Sequence, residues 1–498
     1  MSKKIAALFF TLFLVAGFAV YAEETIYTET LPETPLVNYL PSENDQATLY
    51  AESIYDHLYT QLRALAEEIS VSSYNLTIDE FREAYSTTLY MHPDLYFCES
   101  RFGYRKSGST VTSMIPSYST TDKAVIDQEA AKIEAALDEL SEGFDELAFE
   151  SEILLLIHDR LAMYTAYDTT HVKRNAHDLL VDGKAVCEGY SSAFYALASR
   201  AGIPVGFVSS EKIKHIWNAV CINDKWYHVD VTWDDPVADR FGNVRHDYFL
   251  KSNDALLELD PDRDDFTPLE NDSTEYDEAY WNDACSQIYF NGFYRYYISS
   301  STPAVVRYSD VTYKTETLVR IGNDWSNGSG RYWLGAFSGF SLRNGRFYYN
   351  DSTSLYSCDL NGENIRKEAL SLTAQEAQSY SLYGFYSRGN TVYAAYGPKS
   401  NPTSLTEYAH SFALPSIDGK LYLNEFVDMW GSKYISFFNE GRSDICVYLI
   451  QKENGRISYF DTYSGNAYWT SLATDEGVNC VFVLDEELRP FAEAIKAE

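Results

Sequence analysis

Apolar positions along this chain change their period from one end to the other. Leu49, Ile54, Leu58, Leu62, Leu65 and Ile69 recur at largely helical spacing. Thr77 with Glu80 has the form of a capping box, opening a second helix through Phe81, Ala84 and Tyr85. Tyr96 to Tyr118, aromatic at first and interrupted by Gly103 and Gly108, reads as a hairpin. Helices are expected over Ile126–Leu140 and Ala148–Tyr164, the latter most apolar at Ile153–Ile157. A further helix opens at Cys187 and runs to about Arg200, where Gly202 and Pro204 stop it. Val205–Val208, Trp217–Ile222 and Lys225–Thr232 then read as strands. Asn223-Asp224 supplies a tight turn that pairs the last two antiparallel.

This is the pattern of an α+β unit, with a helical region at 45–145 packed on a core at 146–253. From 254 to 284 the composition turns to Asp, Glu, Asn, Pro and Ser, an acidic linker or covering loop. Asp260, Asp262, Asp264 and Asp265 lack calcium-loop spacing and read as solvated charge. From 285 to 498 short aromatic strands alternate with turn residues. They include Gln287–Phe290, Arg346–Tyr349, Asn390–Tyr393 and Lys433–Phe437, with Asn344-Gly345 a strong turn signal before the second. Strand starts that recur roughly every 40 to 60 residues fit the blades of a β-propeller, with a β-sandwich as the alternative.

The N-terminus changes the picture by adding an address. Lys3 and Lys4 precede the apolar run Ile5–Ala19, and Val20 and Ala22 occupy the cleavage-recognition positions. An apolar core of ~15 residues is short for a membrane span. Residues 1–22 are therefore expected to be a signal peptide and 23–44 a polar leader. The mature chain would be secreted or held at the cell surface, with membrane contact only through the transient signal. The formal net charge of −34, from 73 acidic and 39 basic residues, disfavours nucleic acid and anionic lipid as partners. The 7 cysteines are scattered without metal spacing, so most should be buried packing, Cys221 in its strand-like run among them.

Cys187 differs from the other cysteines in its setting. It lies at the start of a helix, whose unpaired N–H groups favour a thiolate and an oxyanion. Gly183 and Gly189 reduce crowding around it, and Glu188 is free to face solvent from the first turn. His215, just before a strand, is the candidate base, and Asp230 would accept from one of its ring nitrogens. His228 lies two residues before Asp230 and is the rival base, better read as a structural hydrogen-bonding group. Asp234 and Asp235 read as turn or capping residues before Pro236. Trp217 and Trp233 are core residues or walls of a substrate cleft, to which Glu188 and Tyr190 are also assigned. His57, His92, His158, His171, His177, His246 and His410 show no metal-ligand spacing, and no metal or cofactor is expected.

Three motifs carry a resemblance. Gly183-Lys184-Ala185-Val186-Cys187-Glu188-Gly189-Tyr190-Ser191, His215-Ile216-Trp217-Asn218, and Trp226-Tyr227-His228-Val229-Asp230-Val231-Thr232-Trp233-Asp234 resemble the bacterial transglutaminase-like superfamily. Tyr167-Asp168 and Tyr248-Phe249-Leu250 sit where such domains carry similar residues. The resemblance implies a papain-like fold with Cys187, His215 and Asp230 as its triad. It also implies acyl transfer through a thioester, on peptide or carboxamide bonds, resolved by water or by an amine. Lys214 departs from the small residues common before the histidine. The 285–498 region is similar to the propeller repeats of secreted bacterial proteins. The expected substrate is a protein or peptide, cell-wall peptide included, with a glycan or protein ligand for the C-terminal region. The alternative is a non-catalytic surface binding protein that keeps the scaffold and uses its β-rich region.

Overall fold

The computed structural model describes residues 25–32, 37–41, 53–147, 149–237, 241–322 and most of 325–399; beyond 400 it describes only the backbone of separate strands. The expected signal peptide and Leu49 lie outside the described residues. Helix Ile54–Arg63 is capped by Ser53, and helix Ile78–Met91 opens on the Thr77–Glu80 capping box expected from sequence. Their apolar sides, with Leu58, Leu62, Phe81 and Tyr85, pack on Phe97, Phe102 and Met114. Those partners come from and adjoin a hairpin, Cys98–Ser107 with Thr110–Tyr118, flanked by Tyr27–Thr30 and Ile69–Ser70 in one antiparallel sheet.

The central sheet runs Phe249–Lys251, Lys225–Val229, His215–Ile222, Val205–Ser210, all antiparallel. Asn223 and Asp224, both at positive φ (50° and 60°), make the two-residue turn, and Ile222 pairs with Lys225. Positive φ at both turn positions matches the right-handed twist of the paired strands. Both faces of the His215–Ile222 strand are buried, and its period of two sorts the neighbours. Val220 and Ile222 join Phe194 and Leu197 of helix Cys187–Arg200. On the other face Trp217 and Ala219 join Leu256, Phe266 and Leu269.

Residues 254–284 are thus a covering segment packed on the sheet, not an extended tether. The carboxylates of Asp260, Asp262, Asp264 and Asp265 have partners within the chain, Asp262 and Asp264 while largely exposed. Lys212 Nζ lies 3.0 Å from Asp262 and 3.1 Å from Asp264, Asp260 receives Arg263 Nε, and Asp265 accepts from Ser210 and from the Lys212 N–H.

The remaining described residues form antiparallel meanders. One is Tyr289–Asn291, Tyr294–Ser299, Ala304–Ser309, Lys314–Arg320; the next is Phe340–Arg343, Arg346–Asn350, Leu355–Asp359, Arg366–Lys367. Three strands from Tyr380 to Ser411 and five from Leu421 to Ser471 follow. The aromatic strands read from the sequence at Arg346 and Lys433 fall within these sheets. Tyr296, Ile298 and Val305 of the first meander pack on Phe340, Phe347 and Cys358 of the second. The expected all-β region is present, but no closed barrel or propeller ring is formed among the described residues. No helix among the described residues is long and apolar enough to cross a membrane.

The start of helix Cys187–Arg200 is set by close backbone approach. A Cβ on Gly189 would lie 2.3 Å from Ala185 Cβ and 2.8 Å from the Asn175 carbonyl oxygen. Gly189→Ala is therefore expected to destabilise the chain by about 1–3 kcal/mol, as overpacking does. A urea-unfolding midpoint equal to that of the wild type would refute this account of the helix start.

Candidate active site

Ala166–Tyr167 and Lys184–Ala185 pair in parallel, and the Val186 N–H bonds the Lys173 carbonyl at 3.0 Å. The loop supplying Lys173 is folded around Asp168, whose carboxylate accepts from Thr170, Val172 and Lys173. These contacts deliver Cys187 to the first position of its helix. Val186, as N-cap, offers no side-chain acceptor to that first turn. Ser191 Oγ donates to the Ile216 carbonyl, and Asn218 Nδ2 donates to the Ser191 and Gly206 carbonyls, which fixes the helix against the sheet.

The Cys187 thiol is only 7 % exposed and packs with Tyr90, Phe207 and Ile216. It donates to Glu188 Oε2 at 3.2 Å. Burial pushes the thiol well above its ordinary value and the Glu188 charge adds to this; the Ile216 N–H works the other way. Glu188 does not face solvent: it is buried, and its Oε1 receives Arg174 Nη2 at 2.6 Å. A buried carboxylate needs a cation, and Arg174 supplies it.

His215 is the first residue of its strand. Its Nε2 lies 2.7 Å from Asp230 Oδ2, leaving Nδ1 as the other ring nitrogen. The ring stacks on Trp217 at 5.8 Å and 18° and tilts against Trp233. The Lys225–Thr232 strand expected from sequence ends early, at Val229. Asp230 leaves the sheet to cap the short helix Val231–Asp234, its Oδ1 accepting the Trp233 N–H at 3.2 Å.

Asp230 Oδ2 also receives Arg263 Nη2 at 2.7 Å. The buried guanidinium lies 4.3 Å over Trp233, 4.8 Å over Trp217 and 4.9 Å over Tyr248. Burial opposes ionisation of Asp230, yet His215 and Arg263 together hold the carboxyl down at about 2. Trp217 and Trp233 therefore wall this cation, with Trp217 fully in the core. Tyr190 is no cleft residue: it is buried in the core, and its hydroxyl bonds Asp235.

His228 accepts from Trp217 Nε1 at 3.0 Å through Nδ1 and faces Asn253 Oδ1 at 3.1 Å through Nε2, a structural role. Asp235 is the C-cap of the short helix Val231–Asp234, its N–H on the Val231 carbonyl at 2.9 Å, as a turn or capping residue should be; Asp234 has a different role. Asp234 is buried against His158 Nε2 at 3.1 Å and accepts the Tyr248 N–H. Lys214 sits at φ 52°, directly before His215, with its ammonium on Glu211. Sequence reasoning missed Arg263 altogether. The available signal was a lone arginine inside the acidic run Asp260–Asp265.

The transglutaminase-like superfamily model matches residues 140–231, an interval that holds Cys187, His215 and Asp230 and ends before Arg263. No curated protein matches the chain. Among solved structures, a transglutaminase is 15% identical over 27% of this chain and 45% of its own, with a TM-score of 0.19. A putative cysteine protease from Cytophaga hutchinsonii is 17% identical over 28% of this chain and 58% of its own, with a TM-score of 0.18. The N-terminal domain of Nup159 is 10% identical over 57% of this chain and 67% of its own, at 0.19. The chain thus spans about half the length of the first two. TM-scores this low establish no shared architecture.

Two outcomes follow from the charges. Arg263→Met strips Asp230 of its permanent cation and should cost about 3–5 kcal/mol, the usual result of orphaning a buried charge; a loss under ~1 kcal/mol in chemical denaturation, the range of surface pairs, would contradict the pairing. For His228, burial, aided by Arg263, lowers the ring to about 3 against the opposing Asn253 bond. The unfolded ring, near ~6.5, takes up a proton that the folded one refuses, so stability falls as pH drops from ~6.5 toward that lower value. Asp230, depressed in the folded state, adds its own loss only below ~4. His228→Gln should flatten the melting-temperature slope between about pH 6.5 and 4.5. An unchanged slope would place the acid sensitivity elsewhere.

Proposed function

We propose that this chain is an exported, cysteine-dependent acyl-transfer enzyme acting on peptide or carboxamide bonds. The observation that carries the reading is the buried His215–Asp230 pair at 2.7 Å, on a strand whose next residue, Ile216, touches the Cys187 thiol. In this reading the thiol proton passes to His215, and the thiolate sulfur attacks the carbonyl carbon. The leaving amine takes that proton as the C–N bond breaks, and a thioester is left. Water then yields a carboxylic acid, or a second amine yields a new amide. The uncapped first turn of the Cys187 helix is suited to the oxyanion.

Hydrolysis is the preferred outcome, since an exported enzyme works in abundant water, and the substrate is a protein or peptide, cell-wall peptide included. The successive meanders after residue 285 are read as propeller-like, a platform for glycan or protein. No metal or organic cofactor enters this chemistry.

The buried thiol, raised by burial and by Glu188, favours a second reading: a surface binding protein on the same scaffold. A panel of amides and peptides, with and without a primary amine, separates the two. Under the first reading Cys187→Ala abolishes turnover and His215→Ala lowers it by about 10²–10⁴-fold. Asp230→Asn should cost less than His215→Ala if the carboxylate chiefly orients the ring. Product mass distinguishes water addition from amine incorporation. Turnover undiminished in Cys187→Ala would sink the covalent mechanism.

Glu188→Gln gives an independent check. Removing that charge should lower the thiol's pKa, so alkylation of Cys187 should reach half its maximal rate at a lower pH than in the wild type. A profile shifted upward would mean that Glu188 assists the thiolate.

A further inference from the structure

We infer that His158, Asp159 and His246 form a zinc site that ties the helix Glu150–Tyr164 to the loop after Asp230 and to the entrance of the β-rich region. Their sequence positions gave no metal spacing, because the third ligand comes from a distant loop. In the fold, one ligand atom from each lies within 4.8 Å of the others, and all three side chains are buried. Asp159 Oδ1 stands 3.1 Å from His158 Nδ1 and 2.7 Å from His246 Nε2.

The outer contacts are those of a metal's second layer. His158 Nε2 meets Asp234 Oδ2 at 3.1 Å, and His246 Nδ1 meets the Ala284 carbonyl at 3.3 Å. Asp159 Oδ2 accepts the Ile288 N–H at 2.9 Å. Metal-bound imidazoles use their second ring nitrogen in this way, donating to a carboxylate or a backbone carbonyl, which fixes the tautomer and the ring orientation.

The contact pattern supports a cation. Every ring nitrogen of the two histidines faces an oxygen acceptor. A neutral imidazole has one N–H, so without a cation one nitrogen of each ring sets its lone pair against an oxygen, the Asp159 or Asp234 carboxylate for His158 and the Asp159 carboxylate or Ala284 carbonyl for His246. A single divalent ion between His158 Nδ1, His246 Nε2 and Asp159 Oδ1 would give both inward lone pairs and the carboxylate a shared partner. It leaves neutral rings donating outward and balances the two carboxylates. Two imidazole nitrogens with one carboxylate oxygen suit Zn²⁺, whereas Ca²⁺ and Mg²⁺ prefer oxygen alone. Because the site is closed to solvent, the ion would be taken up as the chain folds. This inference is independent of the acyl-transfer reading.

The test is metal analysis of the full-length protein expressed in zinc-replete medium and dialysed against EDTA. Stoichiometric zinc, released only on denaturation, is expected. His246→Gln should lose the metal while still unfolding cooperatively, with its melting temperature lowered by several degrees. Should that variant fail to fold, wild-type protein grown with cobalt decides: visible absorption bands of a bound Co²⁺ ion uphold the site. Wild-type protein free of zinc, or lacking those bands after growth with cobalt, overturns it, as does a His246→Gln protein that keeps the zinc.

Discussion

The structure around the candidate active site depends on keeping Asp230 ionised without water. Its carboxylate is almost wholly buried, and desolvation alone would drive it to the neutral acid. Two cationic or donor groups prevent this: the His215 ring, and Arg263, whose charge is permanent. Arg263 can be buried in turn only because Asp230, Asp260 and the faces of Trp217, Trp233 and Tyr248 surround it. The covering segment 254–284 therefore does more than shield the sheet. It brings the cation that lets a carboxylate stand behind the histidine.

What could be read from the sequence was what local rules determine. The Thr77–Glu80 box, the Asn223-Asp224 turn and the helix opening at Cys187 all follow from short-range sterics and backbone bonding, and each appears where expected. The transglutaminase-like resemblance is matched over residues 140–231, at the level of a distant superfamily. Contacts between distant segments were not legible. Arg263 is one acid-flanked arginine in a polar tract, and nothing local distinguishes solvated from buried charge. The same holds for Glu188, whose burial depends on Arg174, and for His158 and His246, brought together by the fold. Tyr190 was misread because an aromatic beside a nucleophile looks the same whether it lines a cleft or packs beneath the helix.

Composition separated the β-rich region from the core correctly in kind but hid how the two are joined. Arg295, on the first meander, is buried and pairs with Glu152 at 2.5 Å and with Asp310. Tyr164 donates to the Ser387 carbonyl at 3.2 Å, and Arg388 pairs with Glu139. Ile288, Tyr297, Ala304 and Val306 share one apolar cluster with helix Glu150–Tyr164 and the central sheet. A tether would show exposed polar residues at this junction. A buried ion pair set in a shared core instead gives the first meander a fixed seat on the helical side.

The same electrostatics bear on how Asp230 would serve a thiolate–imidazolium pair. A carboxylate with histidine as its sole partner strengthens the imidazolium by its full charge. Here Asp230 Oδ2 is shared between His215 and Arg263. Its geometric effect is undiminished: the 2.7 Å contact fixes Nε2 and so decides which way Nδ1 points. Meanwhile Cys187 is held as a thiol by burial first and by Glu188 second. Formation of the thiolate is thus opposed in the resting arrangement. An acyl substrate would have to supply part of the driving force, by displacing the thiol from Glu188 as its carbonyl oxygen settles on the helix N–H groups. A site of this kind would be quiet in the absence of its substrate.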